Sequence, residues 1–478
     1  MKLLKFLKNN VIKFPKKVAI KYANKKIFYI DFWKNIKIYY YFFKFNKIKK
    51  LIIIENDCEN EFCYIAIFAC LLSKTTYIPI SLNTPRLRIQ EIINTVKPCA
   101  VLSIKKILNN NTTNINPEII LKKKKIIKKN NNVSLSEIAY VIFTSGSTGK
   151  PKGVCISRKA LDHYVLWLKK NIFTNKSFKI PQFSRIGFDL SVVDIFGALC
   201  SGSTLYPLKN EFDRNFINKF ISKNKINFWI SVPSSVEMFN SKKDLVTIKK
   251  IFFCGEPLKR SHLKKIFKIN NKIIVYNTYG PTEATVSCSI LKLTKNNFLK
   301  FCNPNASFGV PINDISFQFE KEFKHNKKSN NMGELLISGP QLASCYFNNN
   351  ELTNDKFVIK NGKRFYKTGD ICKKINKNYY FINRDDNQVK INGYRIELEE
   401  IDNKINELFN ISSYSFIRLN KIYTCINKHN LEKKIKLKLI KYLPSYMIPF
   451  KILYVKSWPR NKNFKIDINK IKLINNND

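Results

Sequence analysis

The sequence predicts an α/β fold in which a large N-terminal body of parallel sheets precedes a smaller α+β C-terminal domain. Short runs of β-branched and aromatic residues alternate with Lys-rich amphipathic segments of helical length, which is the pattern of a parallel α/β sheet. Four such runs lie at residues 51–55, 140–143, 228–232 and 251–254. After about residue 386, the strand-like QVKING is followed by a helical pattern over 398–409. We therefore expect a core domain over residues 1–385 and a C-terminal domain over 386–478.

The composition indicates a globular protein. A chain of 478 residues with 44% hydrophobic and 13% aromatic residues can bury substantial cores, which excludes wholesale disorder. The net charge of +51 would ordinarily indicate a polyanionic partner. The lysines, however, are scattered among Asn and Ile along the whole chain instead of being gathered in one arm or helix. We interpret the charge as a bias of composition and expect no nucleic-acid partner.

The cysteines and the apolar segments predict a cytoplasmic protein. Twelve cysteines are dispersed with no CxxC pair, which favours a reducing compartment. The N-terminal MKLLKFLKNNVIKFPKK is interrupted by Lys every few residues and lacks the continuous apolar core of a secretory signal. The longest apolar stretch, residues 62–72, is too short for a membrane span and predicts a buried helix.

The most informative segment is YVIFTSGSTGKPKGV, residues 140–154, in which a predicted strand ends in a loop rich in Gly, Ser and Thr. Glycines let a backbone approach phosphates closely, hydroxyls and amides donate to phosphate oxygens, and a lysine adds positive charge. The candidate phosphate ligands are Thr144, Ser145, Gly146, Ser147, Thr148, Gly149 and Lys152.

Three commoner loops do not fit this segment. A Walker A loop needs Ser or Thr after Gly-Lys, and here Pro151 follows Lys150. A nucleophile elbow needs Gly-x-Ser-x-Gly, and the interval from Gly146 to Gly149 is one residue too short. The glycine spacing of a dinucleotide fingerprint is missing as well. Taken alone, the loop could also be a Ser/Gly surface turn, so other motifs must decide.

Six further motifs accompany the loop, in the order and at the intervals of the adenylate-forming enzymes. They are YIPISLNTPRLR (77–88), FDLS (188–191), NTYGPTEAT (277–285), GELLISG (333–339), YKTGD (366–370) and RDDNQVKINGYRIELEEI (384–401). Over nearly its whole length the chain therefore resembles this family of acyl-CoA synthetases, peptide-synthetase adenylation domains and luciferases. The resemblance implies a small β-barrel in the N-terminal body and a mobile C-terminal domain.

Within the family, the chain is most similar to the stand-alone D-alanine–D-alanyl carrier protein ligases. FDLSVVDIF, FWISVPSSVEMF and LPSYMIP resemble that subfamily, and the cysteine of FFCGEPL carries most of the assignment. The resemblance implies ATP-dependent conversion of D-alanine, or another small amino acid, to an aminoacyl adenylate. The acyl group then passes to the pantetheine thiol of a carrier protein on a separate chain.

Two other functions remain open on the same motifs. One is the adenylation step of a peptide or polyketide assembly line for a different small amino acid. The other is a non-catalytic protein that binds nucleotide on the same fold.

The resemblance also implies roles in nucleotide binding. Tyr279 would stack on adenine, and Asn277 would hydrogen-bond its polar edge. Asp370 would accept hydrogen bonds from both ribose hydroxyls, with Arg384 supporting it.

The reacting phosphates have their own implied ligands. The glycine-rich loop would hold the triphosphate so that pyrophosphate can leave in line. Thr282 would reach the α-phosphate. Glu283 would hold Mg²⁺, a hard cation that prefers a carboxylate together with phosphate oxygens.

Asp189 stands in the apolar segment FDLSVV, where an unpaired charge would be costly. A cationic partner is therefore expected, and the resemblance implies that it is the α-ammonium of the substrate. The alternative is a helix-capping Asp or a structural ion pair. Leu190, Val193, Cys254 and Thr278 would line the side-chain pocket, with Cys254 as a packing group and not a nucleophile.

The catalytic lysine implied by the resemblance is Lys465. The family usually has Asn-Gly-Lys-x-Asp-Arg here, and this chain has NFKIDI over residues 463–468. Lys465 would bridge the substrate carboxylate and the α-phosphate. Phe464 and Ile468 depart from the pattern, which could slow the enzyme, and Asn392 is a further departure.

A hinge and a thiol path complete the implied site. Asp386, at the predicted domain boundary, would absorb the backbone change as the C-terminal domain rotates between half-reactions. Gly393 and Tyr394 would line the path of the pantetheine arm.

Overall fold

The computed structural model describes residues 1–22, 25–55, 61–104, 112–122, 137–146, 148–174, 177–208, 211–320, 331–459 and 470–471. They belong to two compact units. The first unit consists of Met1–Leu82, Val96–Ile142 and Gly153–Asp385. The second consists of Asn83–Thr95, Phe143–Lys152 and Asp386–Asp478, so it includes the glycine-rich loop.

The helices of the described residues are mostly short and amphipathic. They are α1 (Lys2–Lys13), α2 (Tyr29–Phe45), α3 (Glu61–Ser73), α4 (Arg86–Val96), α5 (Pro117–Lys122), α6 (Arg158–Asn171), α7 (Ser191–Ser201), α8 (Glu211–Asn215), α9 (Ile217–Asn224), α10 (Lys242–Leu245), α11 (Arg260–Ile269), α12 (Asn350–Lys356), α13 (Leu398–Phe409) and α14 (Glu432–Leu439). Short 3-10 helices lie at Pro233–Met238, Thr282–Ala284, Phe298–Phe301 and Ser445–Met447. Helix α3 is apolar on every side and is buried, which confirms the buried helix predicted over 62–72.

Most of the strands are short, and those of the parallel sheets are largely buried on both faces. They are β1 (Val18–Lys21), β2 (Lys26–Phe28), β3 (Lys50–Ile54), β4 (Thr76–Ile80), β5 (Ala100–Leu102), β6 (Thr113–Ile115), β7 (Ile138–Thr144), β8 (Lys152–Ser157), β9 (Lys179–Gln182), β10 (Thr204–Pro207), β11 (Phe228–Ser231), β12 (Lys250–Phe253), β13 (Ile274–Asn277), β14 (Ser289–Leu293), β15 (Val310–Pro311), β16 (Ser316–Phe319), β17 (Met332–Ser338), β18 (Cys345–Tyr346), β19 (Phe357–Lys360), β20 (Lys363–Ile375), β21 (Asn378–Arg384), β22 (Gln388–Ile391), β23 (Tyr394–Glu397), β24 (Ser413–Arg418), β25 (Lys421–Ile426) and β26 (Lys451–Tyr454).

Two sheets with parallel centres contain the four strands expected from the sequence. The larger has the order β18-β8-β7-β4-β3-β5-β6, and β3 is parallel to both β4 and β5. The other has the order β11-β12-β13-β14-β15, with β11, β12 and β13 parallel. A four-stranded sheet, β2-β1-β10-β9, completes these layers. Parallel strands are covered on both faces, which explains why their residues are continuously apolar.

The last sheet of the first unit is antiparallel. Strands β16, β17, β20 and β19 lie side by side, and β21 also pairs with β20. The register of β20 and β21 sets Asp370 opposite Arg384. Closure of these strands into the small barrel implied by the resemblance stays a prediction.

The second unit has its own α+β core. Strands β22 and β23 form a hairpin, while β24, β25 and β26 form a separate sheet. Helix α13 has the bounds predicted from the sequence, and Ile401 and Ile405 on it are fully buried. They pack with Ile435 and Leu439 of α14 and with Met447.

Candidate active site

Asp189 has a hydrogen-bonding partner within the first unit. It lies in the turn before α7, is partly buried, and its Oδ2 accepts a hydrogen bond of 2.7 Å from Thr282 Oγ1. The two residues are 93 positions apart, so the fold and not the local sequence brings them together. A hydrogen bond to a charged group helps to offset the loss of water around it. The predicted amino-acid ligand and the predicted α-phosphate ligand are therefore direct neighbours.

Cys254 lies in a buried apolar cluster that also includes Leu190 and Val193. Its thiol donates to the Val286 carbonyl over 3.5 Å. Thr278, also predicted to line the pocket, donates its hydroxyl to the Phe253 carbonyl at 2.8 Å. Cys254 is therefore packed within this cluster, and its place in a substrate pocket stays a prediction.

Tyr164 on α6 is a residue that sequence reasoning missed. Burial, and then the neighbouring Cys254 and Asp189, raise the pKa of Tyr164 well above its ordinary value, although its hydrogen bond with Ser287 acts in the opposite direction. Its hydroxyl lies 2.8 Å from Ser287 Oγ. Tyr164 belongs to none of the motifs, and nothing in its local sequence distinguishes it from a core tyrosine.

Val286 has a strained backbone. Its φ is +72°, in the left-handed region that a β-branched residue rarely adopts. Thr285 before it has a φ of +54°. Such strain is maintained only where the surrounding structure imposes it, and it is concentrated at functional sites. Here it fixes the carbonyl that accepts the Cys254 thiol.

Asp370 is the centre of a second buried cluster. Its Oδ2 accepts a 2.5 Å hydrogen bond from the Tyr279 hydroxyl, and its Oδ1 forms an ion pair with Arg384. Arg384 also donates to the Thr368 carbonyl at 3.1 Å. Burial, and then Asp370, raise the pKa of Tyr279 well above its ordinary value. The neutral phenol therefore remains a donor to this carboxylate.

The same cluster fits a nucleoside. One face of the Tyr279 ring stacks on Phe308, with centroids 4.5 Å apart. Asn277 is buried and donates to the Ser307 carbonyl at 2.8 Å. A carboxylate offers about four lone pairs, so Asp370 can accept ribose hydroxyls in addition to its two protein donors.

Glu283 is completely buried, and its Oε1 accepts a 2.7 Å hydrogen bond from the Tyr346 hydroxyl. Within the described part of the chain, no group of three or more His, Cys, Asp or Glu could hold a metal ion. A single carboxylate nevertheless fits Mg²⁺, which proteins bind through one or two carboxylates together with substrate phosphates. Tyr346 lies outside the motifs, and no local pattern distinguishes it from a core tyrosine.

The glycine-rich loop lies in the second unit, where three of its donors already have acceptors. Ser145 Oγ donates to the Arg395 carbonyl at 2.8 Å and accepts from the Glu397 amide at 3.1 Å. Lys152 Nζ lies 3.2 Å from Glu397 Oε1. The Gly146 amide donates to Glu400 Oε2 at 3.1 Å. The carboxylates of Glu397 and Glu400 thus accept from Lys152 and Gly146, two donors that are predicted to bind phosphate.

Other loop residues are tightly constrained or lack a partner. Gly149 has a φ of +81°, and a Cβ there would lie 2.8 Å from Asn403 Cβ. Thr144 Oγ1 is buried and, among the described residues, has no hydrogen-bond partner, so it is suited to an anionic ligand. Thr148 is exposed. Ser147 lies outside the described residues.

The predicted thiol-path residues form a tight turn between β22 and β23. Asn392 and Gly393 have φ values of +50° and +81°, as expected for a two-residue hairpin turn of the Asn-Gly kind. Asn392, a departure from the family pattern, is thus explained by the turn. Tyr394 stacks on Tyr446 with centroids 3.9 Å apart. Asp386 Oδ1 accepts from the Gln388 amide at 3.2 Å.

The predicted catalytic lysine, Lys465, lies outside the described residues, as do Phe464 and Ile468. Among the described helices, none is long and apolar enough to cross a membrane.

Comparison with known proteins decides the family. The family model for AMP-binding enzymes matches residues 52–347. The chain belongs to the AMP-binding enzyme family. This AMP-binding enzyme is 31% identical over 442 residues to a D-alanine–D-alanyl carrier protein ligase of Bacillus licheniformis, covering 85% of this chain and 86% of the relative. A ligase of the same name from Staphylococcus haemolyticus is 29% identical and covers 95% of each chain.

Solved structures share the fold of this AMP-binding enzyme. The adenylation domain AlmE of Vibrio cholerae, in complex with glycyl-adenosine-5′-phosphate, superposes with a TM-score of 0.82 at 22% identity, covering 98% of this chain and 97% of AlmE. NpsA-ThdA of Klebsiella oxytoca, an artificially fused adenylation–carrier di-domain, gives 0.82 at 19% identity, covering 95% and 94%. The predictions of the family, of the α/β fold and of an AMP-forming ligase are confirmed.

We predict that Glu397→Gln strengthens ATP binding by this enzyme. The substitution keeps the side-chain shape but removes the charge that competes with phosphates for Lys152. The Kd for ATP should fall roughly threefold to tenfold, because removing a competing interaction of ~1 kcal/mol changes affinity by about that factor. Calorimetric titration with ATP and with AMP checks this, and the change should be larger for ATP.

The matched control is Glu407→Gln on α13, whose carboxylate pairs with Lys404. Weaker or unchanged ATP binding by a folded Glu397→Gln protein would contradict the assignment of Lys152 to the triphosphate.

Proposed function

We propose that this enzyme uses ATP to activate D-alanine, or another small amino acid, and then transfers the aminoacyl group to the phosphopantetheine thiol of a carrier protein on a separate chain. The observation that carries the proposal is the carboxylate of Asp189, which accepts from Thr282 and, like the buried Cys254, lies near Tyr164. The names of the curated relatives support the same reaction.

The amino group of the substrate is assigned to Asp189. A partly buried carboxylate held by the Thr282 hydroxyl suits an α-ammonium group, because the two charges are opposite and the ammonium N–H groups donate to carboxylate oxygens. Fatty and aryl acids have no such group, so the same residue selects against them. When the substrate ammonium binds Asp189, the Thr282 hydroxyl turns from Asp189 and donates to the α-phosphate instead.

Selection for a small substrate side chain is assigned to Cys254 and the residues around it. Leu190, Val193 and Thr278 join Cys254 as proposed pocket residues, and Tyr164 and the strained Val286 extend this set. Leu190, Val193, Cys254 and Thr278 are all buried, which leaves little freedom to enlarge the pocket by rotation of side chains. A methyl group or a hydrogen atom suits such a wall better than a large side chain.

The nucleotide is assigned to the remaining motif residues. Tyr279 and Asn277 bind the base, and Asp370 with Arg384 binds the ribose. Thr144, Ser145, Gly146, Ser147, Thr148, Gly149 and Lys152 bind the triphosphate. Mg²⁺ held by Glu283 would neutralise charge on the phosphate oxygens.

The reaction then has two steps. A carboxylate oxygen of the amino acid attacks the α-phosphorus, and the bond to the β-phosphate oxygen breaks, releasing pyrophosphate. The carrier thiol, losing its proton, next attacks the acyl carbon, and AMP leaves with the bonding electron pair. Lys465 is assigned to the first step, in which its ammonium stabilises charge shared between the carboxylate and the phosphate.

Three further assignments belong to this proposal. Residues 1–385 and 386–478 act as the core and C-terminal domains, and Asp386 is the hinge between them. Gly393 and Tyr394 line the thiol path. The dispersed cysteines support a cytoplasmic location.

A panel of amino acids tests the proposed function. D-Alanine, L-alanine, glycine, D-serine, leucine and phenylalanine are compared by amino-acid-dependent pyrophosphate exchange. We expect D-alanine or another small amino acid to have the highest kcat/KM, with graded discrimination, because one methylene is worth only about 1 to 3 kcal/mol. Preference for leucine or phenylalanine would overturn the assignment. Preference for a small amino acid other than D-alanine would favour an assembly-line adenylation enzyme.

Asp189→Asn should abolish amino-acid activation while sparing ATP binding. The amide can still accept from Thr282 but no longer matches an α-ammonium, and such a mismatch costs about 2 to 5 kcal/mol. Pyrophosphate exchange and calorimetric ATP binding are measured in parallel. Asp314→Asn, at a carboxylate that is largely exposed, is the control. Normal activation by Asp189→Asn would refute the role of Asp189.

Lys465→Ala should separate the two half-reactions. Pyrophosphate exchange should fall on the order of a hundredfold to a thousandfold, the usual effect of removing a preorganised charge. Thioester formation from supplied aminoacyl adenylate should be retained. Lys462→Ala, in the same segment, provides the control. Equal loss of both half-reactions in Lys465→Ala would show that Lys465 is not specific to adenylation.

A further inference from the structure

Two cysteines that belong to none of the family motifs face each other across neighbouring strands. Cys345 on β18 is registered opposite Cys155 on β8 in an antiparallel pair. The Ser344 amide donates to the Cys155 carbonyl at 2.8 Å, and the Phe347 amide donates to the Gly153 carbonyl at 2.7 Å. The backbone is therefore held on both sides of the cysteine pair.

The spacing of these positions suits a covalent bond. Residues directly opposite in an antiparallel pair have Cα atoms about 4.5 to 5.5 Å apart. Disulfides span Cα separations of about 4.4 to 6.8 Å. Cys155 and Cys345 can therefore be joined without separating the strands. Cys155 is buried, whereas Cys345 is partly exposed and open to small reagents.

The two thiols have different chemical characters. A hydrogen bond donated by Cys155, followed by the nearby Arg364 cation, lowers the pKa of Cys345 to about 7 against the effect of burial. The same hydrogen bond, together with burial, raises the pKa of Cys155. Arg364 is fixed by donating to the carbonyls of Ala343 and Ser344 at 2.7 and 2.8 Å. One cysteine is thus suited to attack and the other to resolve.

We propose that Cys155 and Cys345 are a reversible redox pair, oxidised to a disulfide by hydroperoxides. Two neighbouring residues connect the pair to the nucleotide machinery. Cys155 follows Lys152 by three residues in the chain, and Tyr346, next to Cys345, holds Glu283 through its hydroxyl. A disulfide would therefore constrain β8, which begins at the proposed triphosphate ligand Lys152. It would also constrain β18, which carries Tyr346, the hydrogen-bond donor to the proposed metal ligand Glu283. This consequence for activity rests on the proposed function, whereas formation of the disulfide does not.

The chemistry balances with one equivalent of hydrogen peroxide. The Cys345 thiolate attacks one peroxide oxygen, the O–O bond breaks, and the other oxygen leaves as hydroxide, which takes up a proton to become water. The product is a sulfenic acid on Cys345. The Cys155 sulfur then attacks the Cys345 sulfur, loses its proton, and displaces a second water. Two thiols and one peroxide give one disulfide and two waters, and a dithiol reductant reverses the oxidation.

Two buried cysteines on helices α3 and α7 provide a comparison. Burial raises the pKa of Cys70 and of Cys200, which makes them poor nucleophiles. Cys99 is exposed and provides a control for simple accessibility.

Peptide mapping after oxidation tests the pair. The full-length protein is treated with hydrogen peroxide, remaining thiols are blocked with N-ethylmaleimide, and tryptic peptides are analysed by mass spectrometry. The two cysteines fall in separate single-cysteine peptides, residues 153–158 and 329–356. We expect these peptides to be joined, and to separate after reduction with dithiothreitol. Oxidation of Cys99 with no 153–158 to 329–356 linkage would overturn the proposal.

Variants distinguish a redox pair from simple exposure. Cys155→Ala should leave a dimedone-reactive sulfenic acid on Cys345 with no disulfide, and it should slow alkylation of Cys345 at pH 7. Cys99→Ser should form the Cys155–Cys345 disulfide at the wild-type rate. Unchanged alkylation of Cys345 in Cys155→Ala would contradict the thiol–thiol contact.

Pyrophosphate exchange is measured on the same samples before oxidation, after oxidation and after reduction. We expect a severalfold loss on oxidation that reduction restores and that Cys155→Ala does not show. The disulfide could form in a protein that has no exchange activity before or after oxidation. That result would support the redox pair and contradict the proposed function. Exchange activity without any disulfide after oxidation would contradict the redox pair and leave the proposed function unaffected.

Discussion

A carboxylate that is removed from water must be given hydrogen-bond donors, and this constraint governs the candidate active site. Asp189 accepts from the Thr282 hydroxyl, and Glu283 accepts from the Tyr346 hydroxyl. Asp370 accepts from the Tyr279 hydroxyl and forms an ion pair with Arg384. Asp370 and Arg384 are paired on neighbouring strands, whereas Asp189, Thr282 and Tyr279 lie in loops or short turns next to strand and helix ends. The donors supply hydrogen bonds to each carboxylate in a setting where an unsatisfied charge would be costly.

The same constraint operates in the second unit, with the roles reversed. There the loop supplies donors, and Glu397 and Glu400 accept from Lys152 and Gly146. Glu400 is completely buried and is also paired with the guanidinium of Arg88. A triphosphate offers the loop stronger and more numerous acceptors than two carboxylates do. Ser145, Gly146 and Lys152 therefore have acceptors in the absence of a nucleotide, whereas the buried Thr144 hydroxyl has none among the described residues.

Much of this arrangement could be predicted from the sequence, because the informative patterns are local. The runs at 51–55 and 228–232 coincide with β3 and β11, and the helical pattern over 398–409 is α13. The parts that could not be predicted depend on contacts between distant positions. Tyr346 and Glu283 are 63 positions apart, and Ser145 and Arg395 are 250 apart. No local periodicity carries such pairings, and Tyr164 reads as an ordinary core residue until its neighbours are known.

The left-handed backbone at Val286 has a consequence for attempts to alter the enzyme. A non-glycine residue held there costs of order 1 to 3 kcal/mol, and its carbonyl is the acceptor for the Cys254 thiol. In the proposed function, in which Cys254 lines the side-chain pocket, stability and substrate selectivity therefore depend on the same short stretch of main chain. Directed evolution for thermal resistance would favour relaxation of this stretch, and relaxation would loosen the proposed pocket wall. Changing selectivity by substitution of Cys254 alone would leave that backbone in place, so useful enlargement requires both positions to change together.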